Sequence, residues 1–197
     1  GLVRSLLDDP QCSRVALIGR KRSQIIPYQI VFAGQDIPFY AAEDLNVLLS
    51  EAFKELKEIL AIQARSSLGS LFAGDPIQNL LKLCDKVKRY PLAKKDRETL
   101  QRHLYKKSPS DLKSAVRALL EYTGPLKGNN LGGRASVDFA SSIVPLLEAT
   151  TVSQAIRAIS ENFDGLKKDY GKSLEDIFYA DPPFLYLSEY AQRYGSD

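Results

Sequence analysis

Two short apolar runs in the first quarter of the chain, residues 14–19 and 37–42, are separated by a segment with helical spacing. A short apolar run bounded by turn residues is typical of a strand buried on both faces, as in a parallel α/β sheet. A long helical pattern from Leu45 to Ile62 follows the second run. This order predicts strand, helix, strand, helix. Because two strands do not form a stable sheet alone, we expect their neighbours to lie outside this sequence.

From about residue 66 onward the chain has a different pattern. Apolar side chains recur every three or four residues, as amphipathic helices require. The predicted fold class is therefore mainly α, with a small α/β piece that contains two short parallel strands. The predicted domains are 1–65 and 66–197, divided where the apolar stripe of the long helix fades.

Local signals predict where two of the helices begin. Ser23 is expected to cap the helix that follows the first strand, with Pro27 in its first turn. Ser108 and Pro109 predict another helix start, with Ser108 as the cap and Pro109 at the first helical position.

Length and composition are those of a globular chain: 197 residues, of which 44% are hydrophobic and 26% charged. No apolar run approaches the roughly 18 residues that a bilayer-spanning helix needs, so no membrane association is expected. Cys12 and Cys84 cannot form a zinc site with the single His103. One disulfide between them is the alternative to the reduced, cytoplasmic chain that we expect. Because the sequence starts at Gly1 and contains no Met, we expect an excised piece of a larger protein. A processed mature chain is the alternative.

Charge is unevenly distributed along the chain. Residues 82–107 contain ten Lys and Arg against three Asp and Glu, whereas residues 161–197 contain four against eight. The acidic tail includes two predicted helices, 173–179 and 184–194. A basic middle and an acidic tail indicate one face for an anionic partner and another face for a different partner.

The basic segment is the first candidate binding site. Its cations flank a turn at Tyr90 and Pro91, after which a helix is predicted to begin. They are Lys86, Lys88, Arg89, Lys94, Lys95 and Arg97. Cationic side chains beside a helix N-terminus are typical of phosphate recognition. The alternative is a solvated helix face that only keeps the protein soluble.

A second candidate lies at the carboxyl end of the first predicted strand, where open α/β sheets bind ligands. It comprises Arg20, Lys21, Arg22 and Gln24, and it is predicted to contact nucleic acid.

Catalytic chemistry is not evident in the residues. The glycine-containing segment 165–173 has one residue too many between its glycines for a phosphate-binding loop and follows no predicted strand. The Gly- and Asn-rich segment 127–134 is interpreted as a surface connection. His103 has no evident carboxylate or nucleophile partner, so an exposed or half-packed histidine is expected. We predict neither a catalytic residue nor a metal ligand.

Several of these segments resemble motifs of the UvrD/PcrA/Rep family of superfamily 1 DNA helicases. The segment 15–24 is similar to that family's A-V-L-Y-R-x-N-x-Q-S-R, with Arg20 on the arginine and Gln24 on the glutamine. Gly19 replaces the tyrosine of that motif and Arg22 its asparagine. The segment 36–39 resembles N-I-P-Y.

Two later segments continue the resemblance. Residues 47–55 fall on the family's F-Y-x-R-x-E-I-K-D, where only Lys54 and the acidic Glu55 keep the polar pattern. Residues 87–100 resemble P-K-R-G-I-G-x-x-T-L-E-K-L, with Lys88 and Arg89 on its two cations. Tyr90 and Leu92 replace its glycines.

The resemblance implies a fragment that covers part of the RecA-like 2A lobe, residues 1–65, and a helical 2B-type insertion, residues 66–197. The intact parent would be an ATP-dependent 3′–5′ DNA helicase that uses ATP and Mg²⁺, neither of them bound by this fragment. Residues 20–24 would contact single-stranded DNA and residues 86–95 duplex phosphates. The alternatives are a non-enzymatic α-helical module that binds a protein partner through its acidic C-terminal helices, and a helicase-like regulator that has lost catalysis.

Overall fold

The computed structural model of the protein describes residues 2–42, 46–67, 74–87, 92–126, 135–166 and 191. These residues are mainly α-helical, and short 3-10 turns lie at Val47–Leu49 and Asp164–Leu166. The α-helices among them are α1 (Leu2–Leu7), α2 (Arg22–Gly34), α3 (Glu51–Ser67), α4 (Pro76–Val87), α5 (Lys94–Lys107), α6 (Leu112–Leu120), α7 (Ala135–Glu148) and α8 (Val152–Asn162).

The prediction of two parallel strands is wrong for the described residues. The runs 14–19 and 37–42 continue without helix, turn or bend, but neither forms a strand ladder with another described segment. Ile18 is 91% exposed, whereas a strand of a parallel sheet would bury it. The physical reason is that a strand forms only when a neighbouring strand accepts its amide hydrogen bonds, and no described segment does so here.

The core lies around α4, which packs against α5, α6, α7 and the turn 164–166. Because neighbours surround it, α4 buries an unusually wide face that includes Leu80, Leu81 and Leu83. Phe139 of α7 and Phe163, next to the turn, are its largest fully buried side chains.

The N-terminal helices join the same core from one side. α3 packs on α7 and α8, and α2 packs on the turn 47–49. Ile26 and Ile30 of α2 belong to the same buried cluster as the core residues of α4. The predicted boundary at residue 65 falls in the last turn of α3, and the division into two domains stays a prediction.

Two helix starts differ from their predictions. α6 begins at Leu112 rather than Pro109, because Asp111 is the cap: its carboxylate accepts a hydrogen bond from the Ser114 amide at 2.7 Å. Ser108 instead ends α5 in the left-handed conformation, with φ of 47°. α2 begins at Arg22, one residue before the predicted cap, so that Pro27 lies in its second turn.

Candidate nucleic-acid interface

The basic helix α5 is held in place by its inner face. Leu100 and Leu104 are buried against α4 and α6. His103 is half-buried, as expected from the sequence: its Nε2 lies 2.9 Å from the Ala118 carbonyl oxygen and its ring meets Tyr122 edge-on. These contacts fix the rotation of α5 about its axis and therefore determine which cations face outward.

The outer face of α5 carries three cations in one line. Lys95, Arg102 and Lys106 are seven and four residues apart, which places them within about 20° of one direction on an α-helix. All three are exposed, and none makes an ion pair with another described residue. We call them the α5 stripe. It extends about 16 Å along the helix, on the side opposite Leu100 and Leu104.

The predicted residues of the basic segment have different environments. Lys94 and Lys95 are exposed in the first turn of α5, consistent with a binding role. Lys86 is instead half-buried and forms an ion pair with Glu55 of α3. Lys88 and Arg89 lie outside the described residues. Among the described residues of the predicted site, the cations that are open to a ligand therefore lie on α5.

Ion pairs divide the basic residues into two groups. Arg97 pairs with Asp85, Lys82 with Glu58, and Lys107 with Glu121 at 2.7 Å. The hydrogen bond from Lys107 lowers the pKa of Glu121. Since these cations already have carboxylate partners, an incoming anion would have to compete for them. The α5 stripe has no such competition from the described residues.

The N-terminus of α5 contributes less than predicted. Ala93 is its N-cap and offers no side-chain hydrogen bond, so the amides of the first turn depend on other partners. Asp96 lies in this turn and is 6% exposed. A carboxylate there interacts favourably with the helix dipole and repels a phosphate. The exposed cations are therefore the part of α5 that best suits an anionic ligand.

The second predicted site is the turn before α2. Arg20 and Lys21 are exposed, as expected. The Gln24 side-chain oxygen accepts hydrogen bonds from the Arg20 amide at 3.0 Å and from the Lys21 amide at 3.2 Å. Gln24 thus shapes the turn that presents the two cations. The side chain of Arg22 lies outside the described part of the chain.

The two predicted sites lie on elements with different neighbours. α2 packs on the turn 47–49, whereas α5 packs on α4 and α6. Lys94 and Lys95 are adjacent in sequence on α5, and Arg20 and Lys21 are adjacent before α2. The fold therefore presents the two basic segments on separate elements.

The sequence prediction missed Arg102 and Lys106, because it concentrated on the predicted turn at residues 88–91. Their signal was present in the sequence as cations seven and eleven residues after Lys95, on the face opposite Leu100 and Leu104. Helical periodicity applied to charge, rather than only to apolar residues, would have identified them.

In the described ranges, no group of three His, Cys, Asp or Glu side chains lies close enough together to hold a metal ion. None of the helices in those ranges combines the length and the apolar character needed to cross a bilayer. No protein-family model, curated protein or solved structure matches the chain. The helicase resemblance therefore depends on the motif residues alone.

Proposed function

We propose that this chain is a DNA-binding segment of an ATP-dependent 3′–5′ DNA helicase, and that it holds duplex phosphates through the exposed face of α5. The observation that carries the DNA-binding part is the α5 stripe of Lys95, Arg102 and Lys106, three exposed cations without carboxylate partners among the described residues. The helicase part is supported by the order of motif-like segments along the chain. The ATP and Mg²⁺ sites would lie elsewhere in the cytoplasmic parent.

The dimensions of the α5 stripe suit a phosphate backbone. It is about 16 Å long, and one DNA strand carries a phosphate about every 3.4 Å along the helix axis, so the stripe spans about five phosphates. Such contacts position a protein on DNA without reading its sequence. Arg20 and Lys21, on the turn before α2, would contact the single-stranded tail.

An alternative is a protein-interaction module or a regulator without catalysis. The acidic segments assigned to that role, 173–179 and 184–194, lie outside the described residues except for Ala191, which packs against the core. Unpaired cations on one line of α5 favour a polyanion over an average protein surface, and for this reason DNA is the leading proposal.

The experiment measures binding of the chain to a fluorescent duplex with a 3′ single-stranded tail at 50–200 mM NaCl. Each phosphate contact contributes about 0.9 to the slope of log affinity against log salt. Replacing Lys95, Arg102 and Lys106 with Ala should therefore reduce the slope by about 2–3 if all three contact phosphate. The far-UV circular dichroism spectrum should stay unchanged because the three side chains are exposed.

Arg157→Ala is the matched control for Arg102→Ala. Both arginines are exposed on helices, but α8 packs on α7 and α3 rather than next to α5. We expect Arg102→Ala to weaken binding several-fold more than Arg157→Ala. Equal effects of the two substitutions, or an unchanged salt slope in the triple variant, would overturn the α5 interface. The parent sequence tests the helicase part separately, because it should contain a Gly-Lys-Thr or Gly-Lys-Ser phosphate loop.

A further inference from the structure

An apolar cleft of about 780 Å³ lies among α1, α2 and the two unpaired runs, 14–17 and 37–41. A second apolar groove of about 480 Å³ borders the first run farther along, at Leu17, Ile18 and Gly19. Leu17 lines both. The run 14–19 is thus flanked by apolar surface that the described part of the protein leaves uncovered.

The same run has backbone hydrogen-bonding groups that no described backbone group uses. No backbone–backbone hydrogen bond joins residues 14–19 to any other described residue. The run contains no proline, so each of its residues has both an amide donor and a carbonyl acceptor. The run 37–41, which lines the same cleft, includes Pro38. Because proline has no amide hydrogen, it interrupts the row of backbone donors along that run. Of the two runs, 14–19 is therefore the better edge for a pairing strand.

Charge further restricts what can occupy the cleft. Arg14 and Arg20 lie at the two ends of the run, both exposed and without an ion pair to another described residue. At about 3.3 Å per residue, the six-residue spacing between them corresponds to roughly 20 Å of extended chain. A fitting strand would carry a carboxylate near each end and aliphatic side chains between them.

We propose that residues 14–19 are the docking edge for an extended β-strand of another polypeptide, with alternating aliphatic side chains and acidic ends. The strand pairs with amides and carbonyls of the run beyond the Arg14 carbonyl, which accepts from the Cys12 thiol, and its aliphatic side chains enter the cleft. The inference does not depend on duplex binding, since it involves neither α5 nor residues 88–91. Arg20 is shared with the proposed contact to the single-stranded tail, so the strand and that tail would compete for it.

The test uses a synthetic peptide, acetyl-Glu-Val-Thr-Val-Thr-Val-Glu-amide, with a fluorophore for anisotropy. We expect saturable binding, and amides 15–19 should exchange with deuterium at least tenfold more slowly in the bound chain. Leu17→Lys should weaken binding tenfold or more. Leu120→Lys, on α6, should change binding less than twofold, and it is a matched control because the two leucines are 40% and 43% exposed.

A second probe, the same peptide N-methylated at both threonines, keeps the side chains but removes backbone donors, and it should not bind. Equal binding of the two peptides, or equal effects of Leu17→Lys and Leu120→Lys, would overturn the proposal. Protection of amides 15–19 in the free chain at every concentration would show that another part of this chain covers the edge. Protection that grows with concentration, together with a dimer in sedimentation, would assign the edge to a second copy.

Discussion

Asp85 connects α4 to both the segment before α5 and α5 itself. Its Oδ1 accepts a hydrogen bond from the Leu92 amide at 3.1 Å, and its Oδ2 forms an ion pair with Arg97. Asp85→Ala would leave the amide and the guanidinium without this acceptor. We therefore expect it to be among the most destabilising substitutions of a charged residue in the described part of the chain.

The size of the effect follows from the exposure of the two partners. The side chains of Asp85 and Arg97 are 22% and 32% exposed, so water screens the pair only in part. Hydrogen bonds to charged groups contribute about 1.5–3 kcal/mol each when buried, and the low end applies here. Two such bonds give about 2–3 kcal/mol for Asp85→Ala. A domain of this size should then lose roughly 4–12 °C in Tm.

Urea denaturation of single and double variants measures this contribution. Arg97→Ala removes one of the two bonds, and we expect about 1 kcal/mol of coupling with Asp85→Ala in a double-mutant cycle. Glu51→Ala is the control, because Glu51 pairs with Lys54 on the exposed surface of α3, and surface pairs contribute about 0.5 kcal/mol or less. An Asp85→Ala variant within 0.5 kcal/mol of the wild type, or a coupling near zero, would refute the reasoning.

Two further predictions concern ionisable groups. A hydrogen bond from the Ser114 amide lowers the pKa of Asp111, so the cap stabilises the protein above the unfolded-state pKa of about 3.9 and loses this effect as pH falls through the folded value. Asp111→Ala should therefore cost about 1 kcal/mol at pH 7 and less at pH 2 by urea denaturation, whereas an equal cost at both pH values would contradict this assignment. Burial raises the pKa of the Cys84 thiol, so iodoacetamide at pH 8 should modify the partly exposed Cys12 first and Cys84 only after unfolding. Equal rates of modification in the native protein would show that the site around Cys84 opens readily.

The sequence predicted helices best where the apolar spacing and the capping residue lie within the helix or directly before it. The apolar spacing of α4 and the Asp75 that precedes it are local features. The helix begins at Pro76, and the Asp75 carboxylate accepts a hydrogen bond from the Ile77 amide at 2.8 Å. Caps were harder to assign when several candidates were adjacent. Ser108, Ser110 and Asp111 are all good N-caps in isolation, and the choice depended on Ser108 being used to end α5.

The binding residues were predictable only in part, because a cation is available to a ligand only if no carboxylate has already paired with it. Lys86 and Lys95 are equivalent in the sequence, yet Lys86 meets Glu55, thirty-one residues earlier, whereas Lys95 faces away from the core. Such pairing depends on how α3 packs on its neighbours, which local patterns do not contain.

The run 14–19 also shows that local sequence patterns do not contain the tertiary contacts of a segment. Its apolar, β-branched composition favours a strand, but composition cannot supply the partner that makes a strand stable. Ile18 therefore lies exposed beside an uncovered cleft, although the pattern predicted a buried position. A sequence can favour a strand strongly, but the strand forms only where a second strand lies beside it. The exposed edge that results is a physical reason to search for a partner chain at this surface.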